Sequence, residues 1–131
     1  MAKPVILCVD DEKIIRDSLK AQLKEKFGSL YMFEVAESAD DAMEVIDELT
    51  EEGYDIRIVV SDWLMPGVKG DDFLINLHKK YPKIVKLMLT GQANEEAVTR
   101  ARKHANLHQC IQKPWSETEL MDAINSGIAQ I

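Results

Sequence analysis

Five polar side chains, Asp10, Asp11, Asp62, Thr90 and Lys113, each fall just after a short apolar run. Brought together, three carboxylates repel one another unless a cation sits among them. Mg²⁺ suits such a set, because it is hard, prefers oxygen ligands and keeps waters and phosphate oxygens in its shell. A lysine adds a point charge suited to phosphate. A threonine hydroxyl can donate a hydrogen bond to a phosphoryl oxygen. Around one central carboxylate these groups would form a phosphoryl-transfer site, with Asp62 as the nucleophile and the rest neutralising charge on the transferred oxygens. Each piece taken singly has a plainer reading. An Asp-Asp pair after a strand is usually a helix cap, Thr90-Gly91 a turn, and Lys113-Pro114 a solvated loop. Their joint occurrence at successive strand ends is much harder to dismiss, and it is compatible with either a metal site or a phosphoryl site.

The elements that must deliver these groups alternate along the chain. Val5-Ile6-Leu7-Cys8-Val9 reads as a strand buried on both faces. Ile15, Leu19, Leu23 and Phe27 then stripe a first helix, with Gly28 as its stop. A second strand fits Tyr31 to Ala36. Ser38 caps a second helix, with Asp41 near the place of a capping-box acid. Ile56 to Val60 forms the third strand, whose end delivers Asp62, and Met65-Pro66-Gly67 is turn chemistry. A third helix carries Phe73, Leu74 and Leu77 and ends near Tyr81-Pro82. Val85 to Leu89 is the fourth strand, delivering Thr90. Asn94 caps a fourth helix with Glu95 and Glu96 early and Arg100, Arg102 and Lys103 late, in accord with the helix dipole. Its apolar face is thin: Ala97, Val98, Ala101 and Ala105. Gln109-Cys110-Ile111 is a short fifth strand, and Ser116 to Glu119 a capping box opening a last helix striped by Leu120, Ile124 and Ile128. Alternating strands and helices predict an α/β fold, a parallel sheet with helices on both faces. All strand ends then share one edge, where open α/β sheets bind ligands.

The 131 residues suit one domain, 1–131, with 46% hydrophobic and 30% charged residues. A net charge of −7 repels phosphate backbones, so direct nucleic-acid binding is not expected. No apolar stretch reaches bilayer length, and the first apolar run ends in two aspartates rather than a signal-peptide cleavage site. The expected location is the cytoplasm. There Cys8 and Cys110, both in apolar runs, should be buried, reduced thiols.

Val9-Asp10-Asp11, Ser61-Asp62-Trp63-Leu64-Met65-Pro66-Gly67, Leu89-Thr90-Gly91 and Lys113-Pro114 occur in order and at the spacing of a known family. Over essentially its whole length the sequence resembles the receiver domains of two-component response regulators. The resemblance implies a doubly wound, flavodoxin-like (βα)₅ fold with strand order 2-1-3-4-5. It implies that Asp62 takes a phosphoryl group from a phosphohistidine on a sensor histidine kinase or phosphotransfer protein, and that the resulting switch controls a downstream effector. Asp11, Asp62 and the carbonyl of Leu64 would ligate Mg²⁺, with Asp10 acting mainly through water. Thr90 and Lys113 would bind the phosphoryl group, and the Lys113–Pro114 bond would be cis. If two copies pair, the resemblance points to the surface of the fourth and fifth helices.

One departure stands out. The family often carries Tyr or Phe three residues before the lysine, where this chain has Cys110. A thiol cannot fill a large pocket as the threonine moves, so output by that coupling is not expected here. No cationic neighbour of Cys110 is apparent in the sequence, which argues against a redox switch. Leu64 and Gln92 lie two residues beyond Asp62 and Thr90, where the family tunes hydrolysis, and Leu64 is expected to shield the site from water. The competing readings are a receiver-like interaction module that works without phosphate, an aspartyl phosphohydrolase and a flavin-binding protein. The phosphohydrolase reading is disfavoured because the aspartates are adjacent rather than two apart. The flavin reading lacks a phosphate-cradling loop after the first strand.

Overall fold

A computed structural model describes residues 3–91 and 95–130. The chain alternates strand and helix in the order β1 (Val5–Val9), α1 (Lys13–Phe27), β2 (Met32–Ala36), α2 (Ala39–Glu51), β3 (Ile56–Asp62), α3 (Gly70–Lys80), β4 (Val85–Thr90), α4 (Glu95–His104), β5 (Gln109–Gln112) and α5 (Glu117–Ala129). The five strands form one parallel sheet in the order β2-β1-β3-β4-β5. From β1 the chain crosses to β2 on one side, then returns past it to β3. The crevice above β1 and β3 is therefore the switch point where such sheets take ligands.

Alternation along each strand sorts the side chains between two cores. Ile6, Cys8, Ile58, Val60, Leu87 and Leu89 face α1 and α5, whose Leu19, Leu23, Leu120 and Ile124 pack on them. Val5, Leu7, Val9, Val59 and Met88 face α2, α3 and α4. Cys8 lies in the first layer and Cys110 packs against the second, so the sheet separates the two free thiols.

Local chemistry sets the helix starts. Ser38 Oγ accepts from Asp41 N at 3.1 Å, and Asp41 Oδ2 accepts from Glu37 N at 3.2 Å. The acid thus reaches the residue before the cap rather than the cap itself. At α5, Ser116 Oγ accepts from Glu119 N at 3.0 Å, as its capping box predicts. Gly28 ends α1 in a right-handed conformation. Its need for glycine is steric, since a Cβ there would overlap the Lys24 carbonyl oxygen. The expected cap at Asn94 and the reading of Gln92 lie outside the described residues. Two strands also differ from expectation. β2 starts at Met32 rather than Tyr31, and β3 runs on to include Asp62.

Lys86 is the exception in the core. It sits in the otherwise apolar β4, 1% exposed, on the face covered by α3 and α4. Its amine donates to the Ile84 carbonyl at 2.5 Å. Burial pushes its pKa down from 10.5 to about 8. Between those values the unfolded chain binds a proton that the native chain has released, so stability rises with pH across that window. Below it, the native state bears the cost of a buried charge. Lys86→Met should therefore raise unfolding stability by about 1–2 kcal/mol at pH 7, after allowing for the lost hydrogen bond. It should also flatten the rise between about pH 8 and 10.5. Urea unfolding of parent and variant across that range checks it, and a less stable variant at pH 7 refutes it.

Candidate functional site

The strand ends bring together the acidic groups singled out in the sequence. Asp10 follows β1 at the centre of the sheet and is 0% exposed. Its Oδ1 accepts from Glu12 N at 2.9 Å, and its backbone oxygen accepts from Arg16 Nη1 at 2.8 Å. Both fix the turn into α1. Asp11 beside it is exposed. Asp62 ends β3, buried beside Leu89 of β4. Carboxylate oxygens of Asp10, Asp11 and Asp62 lie within 4.8 Å of one another. Lys113 reaches in from the end of β5, its Nζ 2.9 Å from Asp10 Oδ2 and 3.1 Å from Asp62 Oδ1. The Lys113–Pro114 bond is cis. Lys113 N donates to Thr90 O at 2.8 Å, so the backbone that carries the lysine is tied to the end of β4. Thr90 itself is buried at the same edge.

The electrostatics follow from crowding. Burial, then the neighbouring charge of Asp10, raises the Asp62 pKa, although Lys113 opposes the rise. Burial disfavours the charged Lys113 amine, but its bond to Asp10 and the charge of Asp62 outweigh that and raise its pKa. One ammonium among three carboxylates leaves the cluster net negative. Hard oxygen donors with a surplus of negative charge and one exposed member fit a small divalent cation such as Mg²⁺. With Asp10 committed on both oxygens to Glu12 and Lys113, Asp11 and Asp62 hold the freer ones.

Some expectations are corrected. In the turn after β3, Met65 is the buried residue and Leu64 is 62% exposed, so Leu64 is not packed into the protein. Cys110 is half-buried rather than buried, since β5 is an edge strand and the facing side of α4 is thin. A cavity of about 460 Å³ lies between α4 and β5, lined in part by Thr90, Val98, Arg102 and Cys110. A thiol is too small to fill it. Arg102 is in addition the cationic neighbour that the sequence did not reveal, although burial outweighs it and raises the Cys110 pKa.

Sequence reasoning missed a polar link behind β3. Trp63 Nε1 donates to Asp71 Oδ1 at 3.1 Å, and Arg100 Nη1 donates to Asp71 Oδ2 at 2.7 Å. A signal existed in Asp71-Asp72 at the start of an amphipathic helix, yet acids there ordinarily serve the helix dipole. On the other flank, Trp115 Nε1 donates to Gln22 Oε1 at 3.1 Å, which ties the loop after β5 to α1.

Comparison with known proteins agrees with this architecture. Residues 6–125 match the family described as the response regulator receiver domain. The CheY chemotaxis protein of Halobacterium salinarum is 31% identical over 125 residues, which are 95% of this chain and 96% of that protein. The hydrogenase transcriptional regulatory protein HoxA of Cupriavidus necator is 28% identical over 123 residues, 94% of this chain but 24% of HoxA. The chain thus spans about a quarter of the length of that relative. The crystal structure of a CheY-like receiver domain protein from Methanospirillum hungatei superposes with a TM-score of 0.85 at 27% identity, covering 98% of this chain and 96% of that one. Members of this family are signalling domains rather than turnover enzymes. With a parallel 2-1-3-4-5 sheet, the acidic cluster at its switch point and a sequence match across nearly all its length, the chain belongs to the response regulator receiver domains, the phosphoacceptor signalling domains of two-component systems.

Proposed function

We propose that Asp62 is the phosphoacceptor and that Lys113 and Thr90 are the groups that receive the transferred phosphoryl oxygens. The observation that carries this is the placement of the Lys113 amine between Asp10 and Asp62, at the one edge where β1, β3, β4 and β5 all end. A carboxylate oxygen of Asp62 attacks the phosphorus of a phosphohistidine on a sensor kinase or phosphotransfer protein. The P–N bond breaks, its electron pair stays on the imidazole nitrogen, and that nitrogen takes up a proton. Asp62 is left as an acyl phosphate. Lys113 pairs with a phosphoryl oxygen and Thr90 donates its hydroxyl to another. Asp11, Asp62 and the Leu64 carbonyl would hold Mg²⁺, with Asp10 acting through water, and the ion would neutralise charge on the transferred oxygens.

The same reading gives the chain a downstream effector, as a domain or a separate protein, and treats residues 1–131 as one receiver domain in the cytoplasm. Its net charge of −7 disfavours nucleic acid as a direct partner. No described helix is long and apolar enough to cross a membrane.

Incubation with Mg²⁺ and a small acyl phosphate, read by intact mass, tests the acceptor. The parent should gain one phosphoryl group and Asp62→Asn none. Unfolding does not account for such a loss. Burial and Asp10 raise the Asp62 pKa, so without metal the ionised carboxylate lowers stability as pH rises through that value. The uncharged amide avoids this, and Asp62→Asn should unfold no earlier than the parent. Phosphorylation of the variant to the same extent would move the acceptor elsewhere. An unphosphorylated parent, even with a phosphorylated kinase, would favour the interaction module that works without phosphate.

A further inference from the structure

Asp71 sits at the second position of α3, 6% exposed, in a helix whose Phe73, Leu74 and Leu77 are core residues. A buried carboxylate is costly unless its oxygens are satisfied. Here each has a different partner: Oδ1 takes the indole N–H of Trp63 and Oδ2 the guanidinium of Arg100. Arg100 also reaches Asp72 Oδ1 at 3.0 Å. An apolar residue of similar volume would serve packing at least as well. Packing therefore does not account for the arrangement.

The two partners lie at informative places. Trp63 directly follows Asp62, and its backbone is clamped on both sides. Its N–H donates to Leu89 O of β4 at 2.8 Å, and its carbonyl accepts from Gly70 N of α3 at 2.8 Å. The Lys69 amine lies 5.1 Å from the centre of its ring. A shift of the acceptor strand end must therefore move the indole or strain these bonds. Arg100 lies mid-helix in α4, whose buried described residues are only Ala97 and Ala101. Alanines bury little apolar area, and on the β5 side α4 borders the cavity beside Cys110. The bond from Arg100 to Asp71 thus joins α4 to α3 by a polar link, on the side of α4 away from that cavity.

We propose that Asp71 is a positioning residue that couples the state of Asp62 to the position of α4, through Trp63 on one carboxylate oxygen and Arg100 on the other. The coupling rests on Asp62 being the acceptor. It supplies a route from site to surface that does not need a large side chain at Cys110. Coupling of this kind is reciprocal, so the state of α4 also biases the site.

The test is amide exchange of residues 95–104 in the parent, Arg100→Ala, Arg100→Lys and Trp63→Phe, each with and without Mg²⁺ and saturating beryllofluoride, an acyl-phosphate mimic. Fluorine NMR reports its binding independently. In the parent, beryllofluoride should change the exchange rate of α4 by about fivefold or more, the lower end of ordinary coupling. Arg100→Ala and Trp63→Phe should still bind beryllofluoride but show less than about half of that change. Arg100→Lys, which keeps a cation beside Asp71, should recover part of it. That graded recovery separates coupling from a loss of α4 stability. A full response of α4 in either Arg100→Ala or Trp63→Phe overturns the proposal, as does a parent that binds beryllofluoride with no change in α4. A parent that fails to bind beryllofluoride overturns the acceptor reading itself, and the coupling with it.

Discussion

Lys113→Ala should slow phosphorylation of the receiver by about 100-fold and make the metal-free protein less stable by about 1–3 kcal/mol at pH 7. Both effects have one cause. The amine is the cation that the structure shows between Asp10 and Asp62, at 2.9 and 3.1 Å. Without it, Asp10 stays fully buried with one oxygen on Glu12 N and the other without its ammonium. Asp62, already pushed up by burial and by Asp10, loses the opposing charge of Lys113. Carboxylates that hold their protons more tightly in the native state lose stability as pH rises. The deficit of the variant should therefore be larger at pH 7 than at pH 4. Millimolar Mg²⁺ should recover much of the stability, since an ion that binds only the folded state stabilises it by mass action. It should recover little of the rate, because the phosphoryl oxygen still lacks its partner. Urea unfolding with and without Mg²⁺, alongside phosphorylation kinetics, reads both. A variant as fast as the parent removes Lys113 from the site.

Gly70→Ala should cost about 3 kcal/mol, the upper end for forcing atoms into packed space. Intrinsic preference points the other way. Alanine is favoured over glycine by about 1 kcal/mol inside a helix, and Gly70, the first residue of α3, feels part of that preference. Sterics win because the obstacle is backbone. A Cβ on Gly70 would overlap the carbonyl oxygen of Asp62 and lie 2.7 Å from Trp63 Cα. That carbonyl also accepts from Ser61 Oγ at 2.9 Å, and Gly70 N is bound to Trp63 O, so neither side yields freely. The displacement falls on the end of β3 that carries the proposed acceptor, and phosphorylation should slow as well as stability fall. Gly91→Ala is the control at the same edge. Among the described residues nothing lies within 4 Å of a Cβ there, and its stability should stay within about 0.5 kcal/mol of the parent. Thermal unfolding of the pair decides the matter, and equal midpoints would show that the close approach at Gly70 relaxes at no cost.

The alternation of strands and helices is legible in residue order alone. Doubly buried strands such as Val5–Val9 and striped helices such as α1 announce their burial through residue type alone. Legible too is the set of polar groups that stand at strand ends. A parallel sheet places all those ends on one edge, so Asp10, Asp62, Thr90 and Lys113 had to converge in space wherever they lay in the chain. Turn and cap chemistry at Ser38 and Ser116 was equally local and equally legible.

Other features arise only when the elements pack, because contacts between elements depend on rotation and register that no local pattern specifies. Leu64 and Met65 are both apolar and adjacent, yet the turn buries Met65 and leaves Leu64 exposed. Cys110 read as a core thiol, yet its edge strand and the thin face of α4 leave it beside a cavity. Nothing in the local pattern marks Asp71 out, and only the approach of α4 to α3 places Arg100, 29 residues away, on its second oxygen. Lys86 in an apolar strand was visible as a type, but its depth follows from where α3 and α4 cross the sheet. Residue type fixes what a side chain can do once it is placed. The packing of helices on the sheet decides which partner it finds.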